Sequence, residues 1–190
     1  TEGSIRIDGI DVRKFNLKAL RKKIGFIRQK NLLFTGTIKS NIKFGKPNAT
    51  HDEVENSAKI AQAYDFITTK EKGFDEPISE GGSNVSGGQK QRLSIARALV
   101  RKSEIYIFDD SFSALDFKTD AILRKALKKE TKDAIVLIVA QRIGSIMDAD
   151  KIIVLDEGKV VGVGKHKELL STCNVYHEIA LSQLTEEELA

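Results

Sequence analysis

Two adjacent carboxylates, Asp109 and Asp110, close the run Ile105-Tyr106-Ile107-Phe108-Asp109-Asp110. The apolar residues ahead of them predict a buried strand, and acids at the C-terminal end of a parallel strand sit where open α/β sheets bind ligands. Oxygen donors there suit a hard cation such as Mg²⁺, held largely through its waters. Taken alone, acids that merely cap the next turn account for this run as well. A second group is Ser86-Gly87-Gly88-Gln89-Lys90-Gln91-Arg92, which reads as the start of a helix. Its two glycines let the backbone approach a ligand, the free amides and positive dipole end attract an anion, and the serine hydroxyl adds a donor. Gln29 follows the apolar run Ile24–Ile27, where its amide can reach a metal, a water or a phosphate.

The elements that position these groups follow from the apolar pattern. Gly3-Ser4-Ile5-Arg6-Ile7-Asp8-Gly9 alternates between two glycines and predicts a short strand entering a turn. Leu17–Lys23 reads as a short helix and Ile24–Ile27 as a strand. Residues 31–102 read as mostly helical. Thr37 starts a short helix, Thr50 caps one over His51–Ala63 with Asp52 and Glu53 in its first turn, and Ser86 caps one to about Arg101. Beyond it, Ile105–Phe108, Ala134–Val139 and Lys151–Leu155 are near-continuous apolar runs, expected as strands buried on both faces. A helical stretch, Lys118–Lys129, lies between the first two. Strand, helix, strand alternation implies a parallel α/β sheet with right-handed crossovers. Asp156-Glu157-Gly158-Lys159 turns into a further strand, Val160–Val163, and Lys167–Ser182 is helical.

Composition sets the outer limits. The chain has 190 residues with 31 basic and 27 acidic side chains, a net charge of +4, and one cysteine. This is the balance of one globular domain, without an internal disulfide and with a reducing setting expected. The longest strongly apolar stretch, Ala134–Ala140, falls far short of the roughly 20 residues that cross a bilayer. The basic clusters at Arg21–Lys23 and Lys125–Lys132 read as solvated helix faces. No zinc spacing or aromatic-basic interleave accompanies them, so nucleic acid is not the expected partner.

Together and in order, these residues resemble the nucleotide-binding domain of an ABC transporter, with a P-loop NTPase fold expected: a mostly parallel sheet plus a helical signature subdomain. Ser86–Arg92 is similar to the ABC signature, so the resemblance implies that Ser86, Gly87, Gly88 and Gln89 bind nucleotide. Ile105–Asp109 resembles the Walker B strand with Asp109 at the Mg²⁺ position. Ser113-Ala114-Leu115-Asp116 resembles the D-loop, and Gln29 falls where the Q-loop glutamine contacts the metal and nucleotide. On this resemblance, residues 1–30 and 103–190 form a catalytic subdomain and 31–102 a helical one, with ATP and Mg²⁺ as cofactors. Leu33-Phe34-Thr35-Gly36-Thr37-Ile38, Asn41-Ile42, Glu80-Gly81-Gly82 and Gly164-Lys165-His166-Lys167-Glu168-Leu169 resemble exporter segments. Glu80–Gly82 is expected to touch the coupling helices of transmembrane domains, and His166 to be structural.

The departures from the family pattern also carry expectations. No Gly-x-x-x-x-Gly-Lys-[Ser/Thr] occurs in the 190 residues. The chain is therefore expected to begin after the Walker A loop, as a piece of a longer protein, with a central strand missing, an exposed seam in the sheet, and no hydrolysis of its own. The residue after the Walker B aspartate, glutamate in the family pattern, is Asp110, and the switch histidine position is Gln141. Removing a methylene draws the carboxylate back by about 1 Å, a misplacement that can cost about 100-fold in rate. An amide can bond a γ-phosphate but carries neither the imidazole's charge nor its proton exchange near neutral pH. Val85 stands where the signature has leucine.

The resemblance therefore implies the degenerate half of a heterodimeric exporter, paired head to tail with a second nucleotide-binding domain. Its place is the cytoplasmic face of the plasma membrane, below transmembrane domains. The alternatives are a non-hydrolysing regulatory module and, less favoured, a soluble ABC ATPase acting on nucleic acid. Cys173 is expected to be an inert, partly buried thiol.

Overall fold

The computed structural model describes residues 2–185. The chain forms two compact units, Thr1–Val139 and Ala140–Ala190. The first opens with an antiparallel hairpin, β1 (Arg6–Ile7) and β2 (Ile10–Asp11), turned by Asp8 and Gly9 at positive φ. Helix α1 (Leu17–Lys23) starts where the Asn16 side chain accepts the amides of Lys18 and Ala19, and runs into β3 (Ile24–Ile27). Then come β4 (Gly36–Thr37), α2 (Ile38–Lys43), α3 (His51–Ile60), α4 (Tyr64–Thr68), β5 (Pro77–Ile78) and α5 (Gly87–Leu99). The unit closes with β6 (Ile105–Asp109), α6 (Phe117–Glu130) and β7 (Ile135–Val139). Strands β3, β6 and β7 form a parallel sheet in the order β3-β6-β7, with α6 as the crossover from β6 to β7.

Capping residues set the helix starts as expected. Thr37, Thr50 and Ser86 each accept the amide three residues on, and in each case that residue's side chain accepts the cap's own N–H in return. The ends differ from expectation. Gln62 takes φ 56, which no helix tolerates, so α3 stops at Ile60 rather than Ala63 and α4 begins anew at Tyr64. Lys102, at φ 54, follows the end of α5 at Leu99.

One core runs through this unit. Leu93, Ile95, Ala96 and Leu99 of α5 pack with Ile38 and Ile42 of α2, Val54 and Ala58 of α3, Ile27 of β3, and Tyr106 and Phe108 of β6. Helix α5, which carries the Ser86–Arg92 string at its start, is thereby fixed to the two strands that lead to Gln29 and to Asp109-Asp110. Gly45 is the closest approach: a Cβ there would lie 1.9 Å from the Arg97 carbonyl oxygen.

Burial on both faces holds for β6 but not for the other apolar strands. In β7, Ile135, Leu137 and Val139 are exposed by 62%, 52% and 57%. This strand stands at the sheet edge with β6 as its neighbour. A β-branched run specifies a strand; burial depends on the layers stacked against it.

The second unit is built on β8 (Ile152–Asp156) and β9 (Lys159–Gly164), an antiparallel hairpin turned by Glu157 and Gly158 at positive φ. The expectation of a parallel, doubly buried strand is corrected here. Ile152 and Val154 are buried while Ile153 and Leu155 are exposed, the alternation of a sheet with one covered face. The expected tail helix divides into α7 (His166–Thr172) and α8 (Asn174–Leu181), because Cys173 adopts an extended backbone between them. Leu169, Cys173, Tyr176 and Ala180 pack with Ile143, Ile152 and Val154. His166 Nδ1 lies 2.8 Å from the Tyr176 hydroxyl inside this core. Cys173 is buried.

Candidate functional site at the ends of two parallel strands

Strands β3 and β6 pair in register, with Ile27 opposite Phe108. Continuing that register by two residues sets Gln29 against Asp110, and their side chains meet: Gln29 Nε2 donates to Asp110 Oδ2 at 2.8 Å. Two further bonds hold the strand ends together. Ser111, fully buried, donates its hydroxyl to the Ile27 carbonyl (3.0 Å), and the Asp110 amide donates to the Val139 carbonyl of β7 (2.9 Å). Asp110 itself adopts φ 44, a left-handed conformation that costs a non-glycine residue about 1–3 kcal/mol. The chain thus turns sharply at the end of β6 and presents Asp110 toward Gln29. Asp109 is the last residue of β6, half-buried beside them.

The donors here are a carboxylate at Asp109 and the Gln29 amide, whose oxygen stays available because its nitrogen faces Asp110. Among the described residues no cluster of three or more His, Cys, Asp or Glu could hold a metal unaided. A site with one carboxylate and one amide oxygen fits Mg²⁺, which keeps its waters and takes its remaining ligands from substrate phosphates.

The other predicted site residues divide into two places. Ser86, Gly87, Gly88 and Gln89 form the first turn of α5. The Ser86 hydroxyl accepts the Gln89 amide (3.3 Å), and the Gln89 side chain accepts the Ser86 amide (3.0 Å). The amides of Gly87 and Gly88 precede any intrahelical acceptor, which is the arrangement that receives an anion. A Cβ on Gly88 would lie 3.3 Å from the Ala114 carbonyl oxygen, so this turn packs closely on the segment Ser113–Asp116. That segment is itself folded back by the Ser113 hydroxyl donating to the Asp110 carbonyl. Asp116 caps α6 by accepting the Thr119 amide (2.9 Å). This bond, with the nearby Arg92 charge, holds its carboxyl below the usual range. Gln141 belongs to the second unit, exposed, its carbonyl accepting the Gln183 side-chain amide (2.9 Å).

Three side chains that matter here carry no signal in the sequence. Ser111 ties the ends of β3 and β6. Asn31 donates to Gln91 of α5. Arg97 of α5 donates to the carbonyls of Leu32 and Asn41 and to Asn41 Oδ1, each at 2.9 Å, and stacks over Phe34. A run of motif letters locates ligand-facing groups; it says nothing of which neighbours hold them.

Residues 1–113 match the family model described as ABC transporter. The chain belongs to the ABC transporter family. It is 43% identical over 186 residues to an uncharacterised ABC transporter ATP-binding protein of Mycobacterium tuberculosis, covering 96% of this chain and 32% of that protein. It is 44% identical over 179 residues to a Staphylococcus aureus protein whose name describes a multidrug export ATP-binding/permease protein, covering 94% of this chain and 31% of that one. Among solved structures it is similar to a bacterial Atm1-family ABC exporter with ATP bound, with a TM-score of 0.93 and 37% identity over 97% of this chain and 33% of the exporter. The chain therefore spans about a third of the length of these relatives. The expected ABC ATPase form of the P-loop NTPase fold is borne out at this similarity. Among the described residues no helix is long and apolar enough to cross a membrane.

Proposed function

We propose that this chain is the ATP-binding part of a membrane exporter, and that its own site binds MgATP and turns it over slowly. The observation that carries this reading is the Gln29–Asp110 hydrogen bond at 2.8 Å, at the C-terminal ends of adjacent parallel strands. Asp109 and the Gln29 oxygen would hold Mg²⁺, whose charge would offset that of the β- and γ-phosphates. Residues 31–102 would form the helical subdomain, against a catalytic subdomain of residues 1–30 and 103–190. Gln141 would hydrogen-bond the γ-phosphate as a neutral donor.

Asp110 would orient the attacking water, with two handicaps. Its carboxylate lies about 1 Å short of where a glutamate would place it, and one of its oxygens already accepts from Gln29. That engagement favours, as a second reading, a regulatory site that holds nucleotide without turnover. The first turn of α5, with Ser86 through Gln89, would face the nucleotide of a second, non-identical domain paired head to tail. Asp116 would lie at that junction. Transmembrane domains above the pair would place the chain on the cytoplasmic face of the plasma membrane.

The test is the paired substitution Asp110→Glu with Gln141→His in the full-length transporter. Hydrolysis at this chain's site should rise by about 100-fold, in line with the cost of a 1 Å misplacement. An unchanged rate in a folded, ATP-binding transporter contradicts the assignment of these two positions.

A further inference from the structure

Three stretches of chain far apart in sequence bring their cations to one groove. Its walls are α1, the turn Gly45–Pro47 between α2 and α3, and Arg101 just past the end of α5. The turn lies against α5 because Gly45 has no side chain: a Cβ there would meet the Arg97 carbonyl oxygen at 1.9 Å. That seat lets Pro47 and Arg101 line the same groove. From α1, Lys18, Arg21 and Lys22 line it too, sharing one helix face by their spacing of three and four residues. The groove is open, with a volume of about 1140 Å³.

Among the described residues no carboxylate lines this groove. Neighbouring cations show what an acid within reach does. Lys23, one residue on, turns to Asp8 and Glu104 (3.3 and 2.5 Å), and Lys46 turns to Glu53 (2.5 Å). Lys18, Arg21, Lys22 and Arg101 make no ion pair among the described residues. Like charges at helix-neighbour spacing repel, so four such groups converging on one concavity favour an anion that neutralises several at once. Arg21 and Arg101 each offer a planar fork that matches pairs of phosphate oxygens, and Lys18 and Lys22 add point charges. A single orthophosphate is too small to engage cations from both α1 and the end of α5. The groove has no aromatic lining on which bases could stack, and a concave surface does not lie on a bilayer.

The geometry points to a binding site for a soluble polyphosphorylated anion, one with two or more linked phosphates. The site shares no residue with Gln29, Asp109 or Asp110, and it does not rest on the function proposed above. Its ligand ties α1 to the Gly45–Pro47 turn and the end of α5, and so stabilises the first unit by mass action.

The experiment is calorimetric titration of the full-length transporter with tripolyphosphate, its nucleotide sites kept filled with ADP and Mg²⁺ in excess over both. The variants are Arg21→Gln, Arg101→Gln, and a control, Lys125→Gln with Lys129→Gln, which removes two charges from the exposed face of α6. Each arginine variant should weaken binding by about tenfold, the loss of one bidentate pair, while the control binds as the parent does. Tripolyphosphate should also slow hydrogen exchange over residues 17–23 in the parent and the control, and not in the arginine variants. Should Arg101→Gln fail to fold, Lys18→Gln with Lys22→Gln tests the same groove from its exposed wall.

No binding with the nucleotide sites filled overturns the site. An equal loss in the α6 control also overturns it, since the attraction would then be to net charge alone. Arginine-dependent binding to phosphatidylglycerol vesicles, with none to tripolyphosphate, would give the groove to lipid headgroups and refute the soluble ligand.

Discussion

Replacing Arg97 by methionine should release the segment that links Gln29 to the helical part of the fold. The guanidinium makes three hydrogen bonds at 2.9 Å, to the Leu32 and Asn41 carbonyls and to Asn41 Oδ1. It also covers the rings of Phe34 and Phe44 at 5.1 and 6.0 Å. Bonds from a charged donor contribute about 1.5–3 kcal/mol each, so three amount to roughly 5–9 kcal/mol before the cost of burying the charge. Burial lowers the Arg97 pKa to about 10. At about 1.4 kcal/mol per unit, that cost is roughly 3 kcal/mol. The difference is a net contribution of about 2–6 kcal/mol from the charged side chain; methionine keeps the packing and loses the bonds. The assay is hydrogen exchange at the Phe34 amide, which donates to Asn41 Oδ1 and becomes exposed when the segment opens. A loss of even 2 kcal/mol should speed exchange by about 30-fold. Exchange within threefold of the parent would refute the claim that Arg97 is the clamp, and would place the holding force in the apolar contacts of Leu33 and Ile38.

Three further outcomes are expected. Gly45→Ala should destabilise the packing of α2 on α5 by about 1–3 kcal/mol or more, because its Cβ would meet the Arg97 carbonyl at 1.9 Å; thermal unfolding monitored in the first unit reads this. Ser86→Ala should cost about 1 kcal/mol through the lost cap on the Gln89 amide, whereas Ser86→Thr should restore most of that, as exchange at Gln89 would show. Asp116 has its carboxyl held low, chiefly by the Thr119 amide. Its contribution to the start of α6 is therefore fully present above the unfolded carboxylate range near pH 4 and is lost as pH falls through the lower folded value. Titration of Asp116 by carboxyl NMR should show the depressed midpoint, and Thr119→Pro, which removes the donor, should raise it.

Much of the site was legible in the chain because it is written in short local strings. Ser86 announces a helix start, and Ile105–Asp110 announces a buried strand ending in acids. The register that brings Gln29 to Asp110 is a pairing across 81 positions, and only the fold supplies it. Likewise Ser111, Asn31 and Arg97 act by touching backbone or amide groups far along the chain, contacts that no residue type specifies. The burial of β7 and β8 is not legible in the chain for a related reason. Apolar content signals strand propensity in both, but β7 is an edge and β8 half of a hairpin, so each leaves a face uncovered. The helix ends shifted where Gln62 and Cys173 left helical backbone, conformations that neither residue type advertises.

In the function proposed above, Asp110 and Gln141 make this chain's site slow while leaving it able to bind MgATP. It is tested most directly by single-turnover hydrolysis in the full-length transporter after the partner domain's own catalytic carboxylate is replaced by an amide. Nucleotide should stay bound and be cleaved at a rate near background, and Asp110→Glu with Gln141→His should restore cleavage. Rapid cleavage by the unaltered chain under those conditions would contradict it.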